Sequence, residues 1–265
     1  MPGERPGGAL PAGQSVLRLI SIYPTLLGTY GDGGNLRILT VRAQARGLRV
    51  EAVELEPGRP VPEHGDLYLL GGGEDDAQVS AARALRADGG LARAAARGAA
   101  IFAVCAGYQV LGEVFPGSRG EPEPGLGLLD VTTGRLPRRA VGELLARPAG
   151  GAGPVPALRS VLTGYENHAG GTTLGPAARP LATVEAGVGN GVADPTGAVS
   201  EGAVQGRLLG TYLHGPGLAR NPELADLLLS WVVGAALEPW PQADIEALRA
   251  ERVAAVRAAR PGRAG

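Results

Sequence analysis

At 265 residues, with 44% hydrophobic residues and a formal net charge of -1, the chain has material for one sizeable packed core and lacks the basic stripe of a nucleic-acid binder. All 25 basic residues are arginine, so no lysine is present for a G-x-x-x-x-G-K-[ST] phosphate loop, a Schiff base or a kinase-type site, and any ATP is expected on another chain. One cysteine excludes an internal disulfide, no signal-peptide core or run of ~18 apolar residues is found, and a cytoplasmic protein without membrane segments is expected.

Residues 1–14 are Pro/Gly-rich and aperiodic, which predicts a disordered leader before a single domain over 15–240. VLRLISIYP, from Val16 to Pro24, reads as a first strand. TYGDGGN then makes a glycine-rich turn in which Asn35 is expected to cap a helix running to Gly47. LRVEAVEL alternates as a second strand, and DLYLLGGG gives a third that breaks into Gly71, Gly72 and Gly73. Residues 77–97 are helical in composition, with a break expected at Asp88-Gly89-Gly90, and they lead into the buried strand AIFAVC. Strands alternating with helices of this length predict an α/β fold with a largely parallel central sheet and helices on both faces. Ligands of such sheets sit beyond the carboxyl ends of the strands, where both the triple glycine and Cys105 fall.

From about Glu121 to Arg207 the pattern becomes more antiparallel, with strand-like pieces LGLLDVTT, RSVLTGYEN and PLATVEA. RLLGTYLH is a further strand ending on His214. Asn221-Pro222-Glu223 supplies a cap, a first-turn proline and a first-turn acid for the apolar helix LADLLLSWVV. A tail over 241–265 carries Ile245, Leu248, Val253 and Val256 at helical spacing, expected to pack on the body or on a partner.

The lone Cys105 stands at a strand-turn-helix junction, the geometry of a nucleophile elbow, where a helix N-terminus favours the thiolate. The Ala106 amide and an amide of the triple glycine, Gly73 above all, are positioned to serve an oxyanion. Of three histidines, His64 precedes a strand and belongs to the opposite sheet edge. His168 is polar-flanked and ambiguous, whereas His214 ends a strand at the edge of Cys105 and is the better base. One cysteine and scattered histidines show no metal-ligand spacing, so no metal or other cofactor is expected.

CAGYQ at 105–109, GGG at 71–73 and YLHG at 212–215 resemble the nucleophile, oxyanion-loop and histidine motifs of class I, triad-type glutamine amidotransferases, in their cobyric-acid-synthase-like branch. Within that branch TYGDGGN, GGGEDDAQ, GYENHAGGTTLG and GTYLHGPGLARNPELAD resemble the GatD family, the glutaminase subunits of lipid II isoglutaminyl synthase; the similarity runs from about Val16 to Trp231. The resemblance implies a flavodoxin-like amidotransferase fold and hydrolysis of L-glutamine by Cys105 and His214 through a thioester. Ammonia then passes to a MurT-like subunit of the Mur-ligase family that carries the ATP site and amidates the D-glutamate α-carboxyl of lipid II in peptidoglycan synthesis. It also implies Arg139, in RRAVGEL, as the ligand of the glutamine α-carboxylate, with Arg138 a close competitor. Many class I enzymes carry a glutamate two residues after the histidine; here that position is Pro216. The orienting acid is then Asp32, Glu166 or a carboxylate from the partner. A cobyric-acid-type acceptor, a stand-alone cysteine hydrolase and a non-catalytic flavodoxin-like module are the competing readings.

Overall fold

A computed structural model describes residues 16–149 and 155–259; the expected leader at 1–14 lies outside them. The first half alternates as expected: β1 (Leu17–Ile22), α1 (Gly34–Ala45), β2 (Val50–Leu55), β3 (Leu67–Leu70), α2 (Asp75–Asp88), α3 (Gly90–Ala96), β4 (Ala100–Val104) and α4 (Ala106–Leu111). The break between α2 and α3 falls on Gly89, whose left-handed φ of 68° lets its amide close the helix on the Leu85 carbonyl. Then follow β5 (Val114–Pro116), β6 (Pro122–Pro124), β7 (Val131–Pro148), β8 (Leu162–Leu174), β9 (Ala182–Ala186), β10 (Ser200–Glu201), β11 (Ala203–Gln205) and β12 (Leu208–Thr211). The helices α5 (Gly217–Arg220), α6 (Pro222–Val233) and α7 (Ala243–Ala259) complete the described chain.

The central six-stranded sheet has the order β11-β12-β4-β3-β1-β2, parallel throughout except for the β11–β12 hairpin. Sequence decides position within it: LYLL and AIFAV are apolar at every residue and occupy buried central places, whereas VEAVEL, with Glu51 and Glu54 outward, forms the edge. The antiparallel middle is a second sheet, order β10-β9-β7-β5-β6 with β8 on β7, dominated by the long β7–β8 hairpin. Residues 126–130 of LGLLDVTT stay irregular, and the strand begins only at Val131.

Two expected caps are instead bolts between elements. Asn35 lies inside α1, buried, with its Oδ1 accepting the Leu218 amide; Asn221 precedes α6 but spends its side chain on Thr163 and Gly217. In both cases a buried backbone group elsewhere needs a partner more than the helix end does. The tail helix α7 packs on β7 and β8, where Arg249 donates to the carbonyls of Arg220 and Val161, and Arg257 pairs with Glu185. No helix of the described residues is long and apolar enough to cross a membrane.

Helix α1 is locked to α6 by charge. Arg42 grips Asp226 through two bonds of 2.7 and 2.6 Å, Arg46 adds a third of 2.8 Å, and Trp240 lies against both guanidinium groups. Both arginines are nearly fully buried, so removing the carboxylate strands two cations in a poorly solvated place. Asp226→Ala is expected to lose about 3 kcal/mol of unfolding free energy in urea titration, more than an exposed pair loses.

Candidate active site

Strand β4 delivers Cys105 into a sharp bend. Its φ of 51° and ψ of -105° lie in a region that costs a non-glycine residue roughly 1–3 kcal/mol, and the surroundings impose it. The Cys105 amide donates to the Thr211 carbonyl at 2.8 Å, its carbonyl accepts from Gln109, and the Gly107 amide donates to Gly71. Gly107 has no room for a side chain, since a Cβ there would sit 2.6 Å from Leu70 Cβ. The sulfur is mostly covered, with Cys105 at 7% exposure, but it lines a cleft together with Gly73, Ala106, Arg135, Arg139 and His168. Among the described residues neither the Gly73 nor the Ala106 amide has a backbone acceptor. A second cleft, lined by His64, Arg97 and Arg207, lies at the opposite sheet edge.

Because β12 runs parallel beside β4, the chain after it emerges at the same edge as Cys105. His214 follows β12 by three residues, held by a two-way backbone pairing with Tyr165, and its ring is fully buried. The ring Nδ1 sits 3.0 Å from Asp32 Oδ2, which also accepts the Gly72 amide at 2.8 Å. Nδ1 therefore donates to the carboxylate, and Nε2 is the ring nitrogen left outside that bond. Nε2 has no completed hydrogen bond, yet the Cys105 thiol is close enough to act on the ring. Burial is the largest single influence and opposes protonation of His214; the hydrogen bond to Asp32 and the neighbouring Asp32 and Cys105 groups outweigh it and raise the pKa to about 10. Tyr30, itself at a positive φ of 63°, meets the ring edge-on at 5.1 Å between centroids.

The triple glycine exists for clearance. A Cβ at Gly71 would meet the Leu27 carbonyl at 2.1 Å, one at Gly73 the Leu26 carbonyl at 2.6 Å, and one at Gly72 the His214 Cε1 at 2.7 Å. The backbone of this loop thus lies directly against both the loop bearing Asp32 and the imidazole.

Glu166 does not reach His214. Its two oxygens accept the amides of Val188 and Gly189 at 2.8 and 2.9 Å, so it anchors a loop, while Asp32 is the carboxylate that meets the imidazole. His168 stacks flat on Tyr212 at 3.7 Å and turns Nδ1 toward the Gly170 carbonyl. Arg139 lies within a register shift in the β7–β8 pairing between Arg135 and Ala140, the kind of bulge that re-aims a side chain, and it lines the cleft; Arg138 does not.

Three participants escaped the reading of the sequence. Asn167 sits inside GYENH and bonds Arg139; a neutral amide between a glutamate and a histidine carries no pattern of its own. Arg135 also lines the cleft, from a strand whose bulge no periodicity reveals. Glu201 is fully buried, accepting from Thr211 Oγ1 and the Tyr212 amide, and burial above all raises its pKa to about 7. It braces β12 just where Thr211 holds the Cys105 amide.

Comparison with known proteins fits this geometry. The model of the CobB/CobQ-like glutamine amidotransferase domain matches residues 18–222. A lipid II isoglutaminyl synthase (glutamine-hydrolyzing) subunit GatD of Staphylococcus aureus is 33% identical over 210 residues, covering 77% of this chain and 79% of that protein. The corresponding GatD subunit of Streptococcus pneumoniae is 30% identical, covering 81% and 79%. A cobyric acid synthase of Methylobacterium nodulans is 40% identical over 63% of this chain, but only 32% of that longer protein is spanned. Among solved structures, a glutamine amidotransferase from Thermotoga maritima superposes with a TM-score of 0.52 at 12% identity, covering 92% of this chain and 94% of that one. The fold is that of the class I glutamine amidotransferases. The chain belongs to the CobB/CobQ-like glutamine amidotransferase family.

Replacing the Asp32 carboxylate by a neutral amide removes a charge that favours imidazolium, so the His214 pKa must fall from about 10. In Asp32→Asn the His214 ring resonances, followed by NMR, are expected to titrate lower by at least about one pH unit, or ~1.4 kcal/mol.

Proposed function

We propose that this chain is the glutaminase subunit of a lipid II isoglutaminyl synthase. The observation that supports the chemistry best is the buried His214 ring, tied at Nδ1 to Asp32 and left with Nε2 free beside the sulfur of a strained elbow. With its proton affinity raised, His214 takes the thiol proton before attack and holds it as imidazolium. Cys105 Sγ then attacks the side-chain amide carbon of L-glutamine, and the Gly73 and Ala106 amides receive the developing oxyanion. The imidazolium proton passes to the leaving nitrogen, ammonia departs, and a γ-glutamyl thioester remains. Water, deprotonated by the now neutral imidazole, cleaves the thioester to glutamate and free thiol. Asp32 keeps the ring in the required tautomer, and Arg139 holds the α-carboxylate.

The ammonia acceptor rests on chain architecture. The isoglutaminyl synthase subunits are matched over 79% of their length, whereas the cobyric acid synthases extend far beyond the matched part. A chain without lysine suits a glutaminase that leaves ATP chemistry to a partner. That partner is a MurT-like Mur-ligase subunit in a cytoplasmic heterodimer, which activates the D-glutamate α-carboxyl of lipid II for amidation during cell-wall synthesis.

The test is amidation of lipid II by the co-purified pair with ATP. Glutamine-dependent amidation is expected, with Cys105→Ser lowering it by about a thousandfold or more while ammonium chloride still supports it. A stable complex that consumes glutamine yet leaves lipid II unamidated overturns the acceptor, and Cys105→Ser retaining glutamine hydrolysis overturns the mechanism.

A further inference from the structure

We infer that Asn167 is a positioning residue that sets the affinity of the site for amino acids bearing an α-carboxylate, an inference resting on the glutaminase reading above. The side-chain Oδ1 of Asn167 accepts the Arg139 Nε–H at 2.6 Å, and this is the one hydrogen bond of the Arg139 side chain among the described residues. A guanidinium tied at Nε keeps both terminal nitrogens uncommitted. Those two nitrogens present a parallel pair of donors, the arrangement that receives a carboxylate bidentately.

Arg139 is exposed, on a strand distorted by a bulge, and left alone its long side chain would sample many rotamers. Asn167 is half-buried on the neighbouring strand β8, opposite Val141, and is therefore fixed where Arg139 is not. Its neutrality matters as much as its place. A carboxylate at 167 would occupy the guanidinium and repel the incoming anion; an amide orients the cation without consuming its charge. The same residue faces the chemistry, because its backbone carbonyl lies 4.0 Å from Cys105 Sγ. The site that reads the α-carboxylate and the wall beside the nucleophile are thus parts of a single residue on a paired strand.

Two alkylating probes separate the roles on the full-length chain, followed by intact-protein mass spectrometry. The glutamine analogue 6-diazo-5-oxo-L-norleucine carries the α-carboxylate, whereas iodoacetamide reaches the thiol without one. In Asn167→Asp the second-order rate of Cys105 labelling by the analogue is expected to fall about tenfold or more, and in Asn167→Ala several-fold, with iodoacetamide labelling within about twofold of the parent. In glutamine hydrolysis by the complex the same variants are expected to raise KM rather than lower kcat. Equal analogue labelling of parent and both variants overturns the inference, as does an equal loss with both probes, which marks a merely structural role. A parent chain whose Cys105 reacts with iodoacetamide but never with the analogue instead overturns the glutaminase reading itself.

Discussion

The pairing of β4 with β12 is the constraint on which the site depends. Four residue pairs, from Leu208 with Ile101 to Thr211 with Val104, run in parallel register and end with the Thr211 carbonyl accepting the Cys105 amide. That last bond continues the ladder one residue past the regular strand, into a backbone conformation a cysteine would not choose. It also makes the two strands end together, so the residues that follow them, Cys105 and His214, meet although the sequence separates them widely. Sheet hydrogen bonding, supplied by strands whose apolar side chains have nowhere else to go, thus stores the strain that exposes the sulfur to the cleft.

Around that pairing, clearance and charge work together. The triple glycine lets a loop pass between Leu26, Leu27, Asp32 and the imidazole with no side chain in the way. Asp32, held by the Gly72 amide, then meets the ring at Nδ1. Pro216, where many relatives of this general class carry the orienting glutamate, packs so closely on Gly34 that a Cβ at 34 would lie 2.3 Å from its ring. The acid that meets the imidazole comes instead from the loop after β1.

Periodicity and punctuation made much of this legible. The continuous apolar runs at 67–70 and 100–104 marked central parallel strands, and the glycine at 89 marked the helix break that the structure contains. The placement of Cys105, His214 and the triple glycine at one edge of the sheet followed from those strand ends. What stayed hidden depends on partners distant in sequence. Asn35 and Asn221 look like caps because local pattern cannot see the buried amides of Leu218 and Thr163 that claim them. The choice between Asp32 and Glu166 was likewise invisible, since both are acids in glycine-flanked segments; only the fold shows one meeting the imidazole and the other the amides at 188 and 189. Asn167 and Glu201 act through groups that no spacing rule links to them.

The orienting carboxylate comes from the loop after the first strand and the imidazole from the segment after the last. Its two halves leave the ribosome far apart in time, and the ring stays without its acid until the final strand has zipped into place. The environment that raises the affinity of the ring for its proton is therefore assembled only once both ends of the domain have come together.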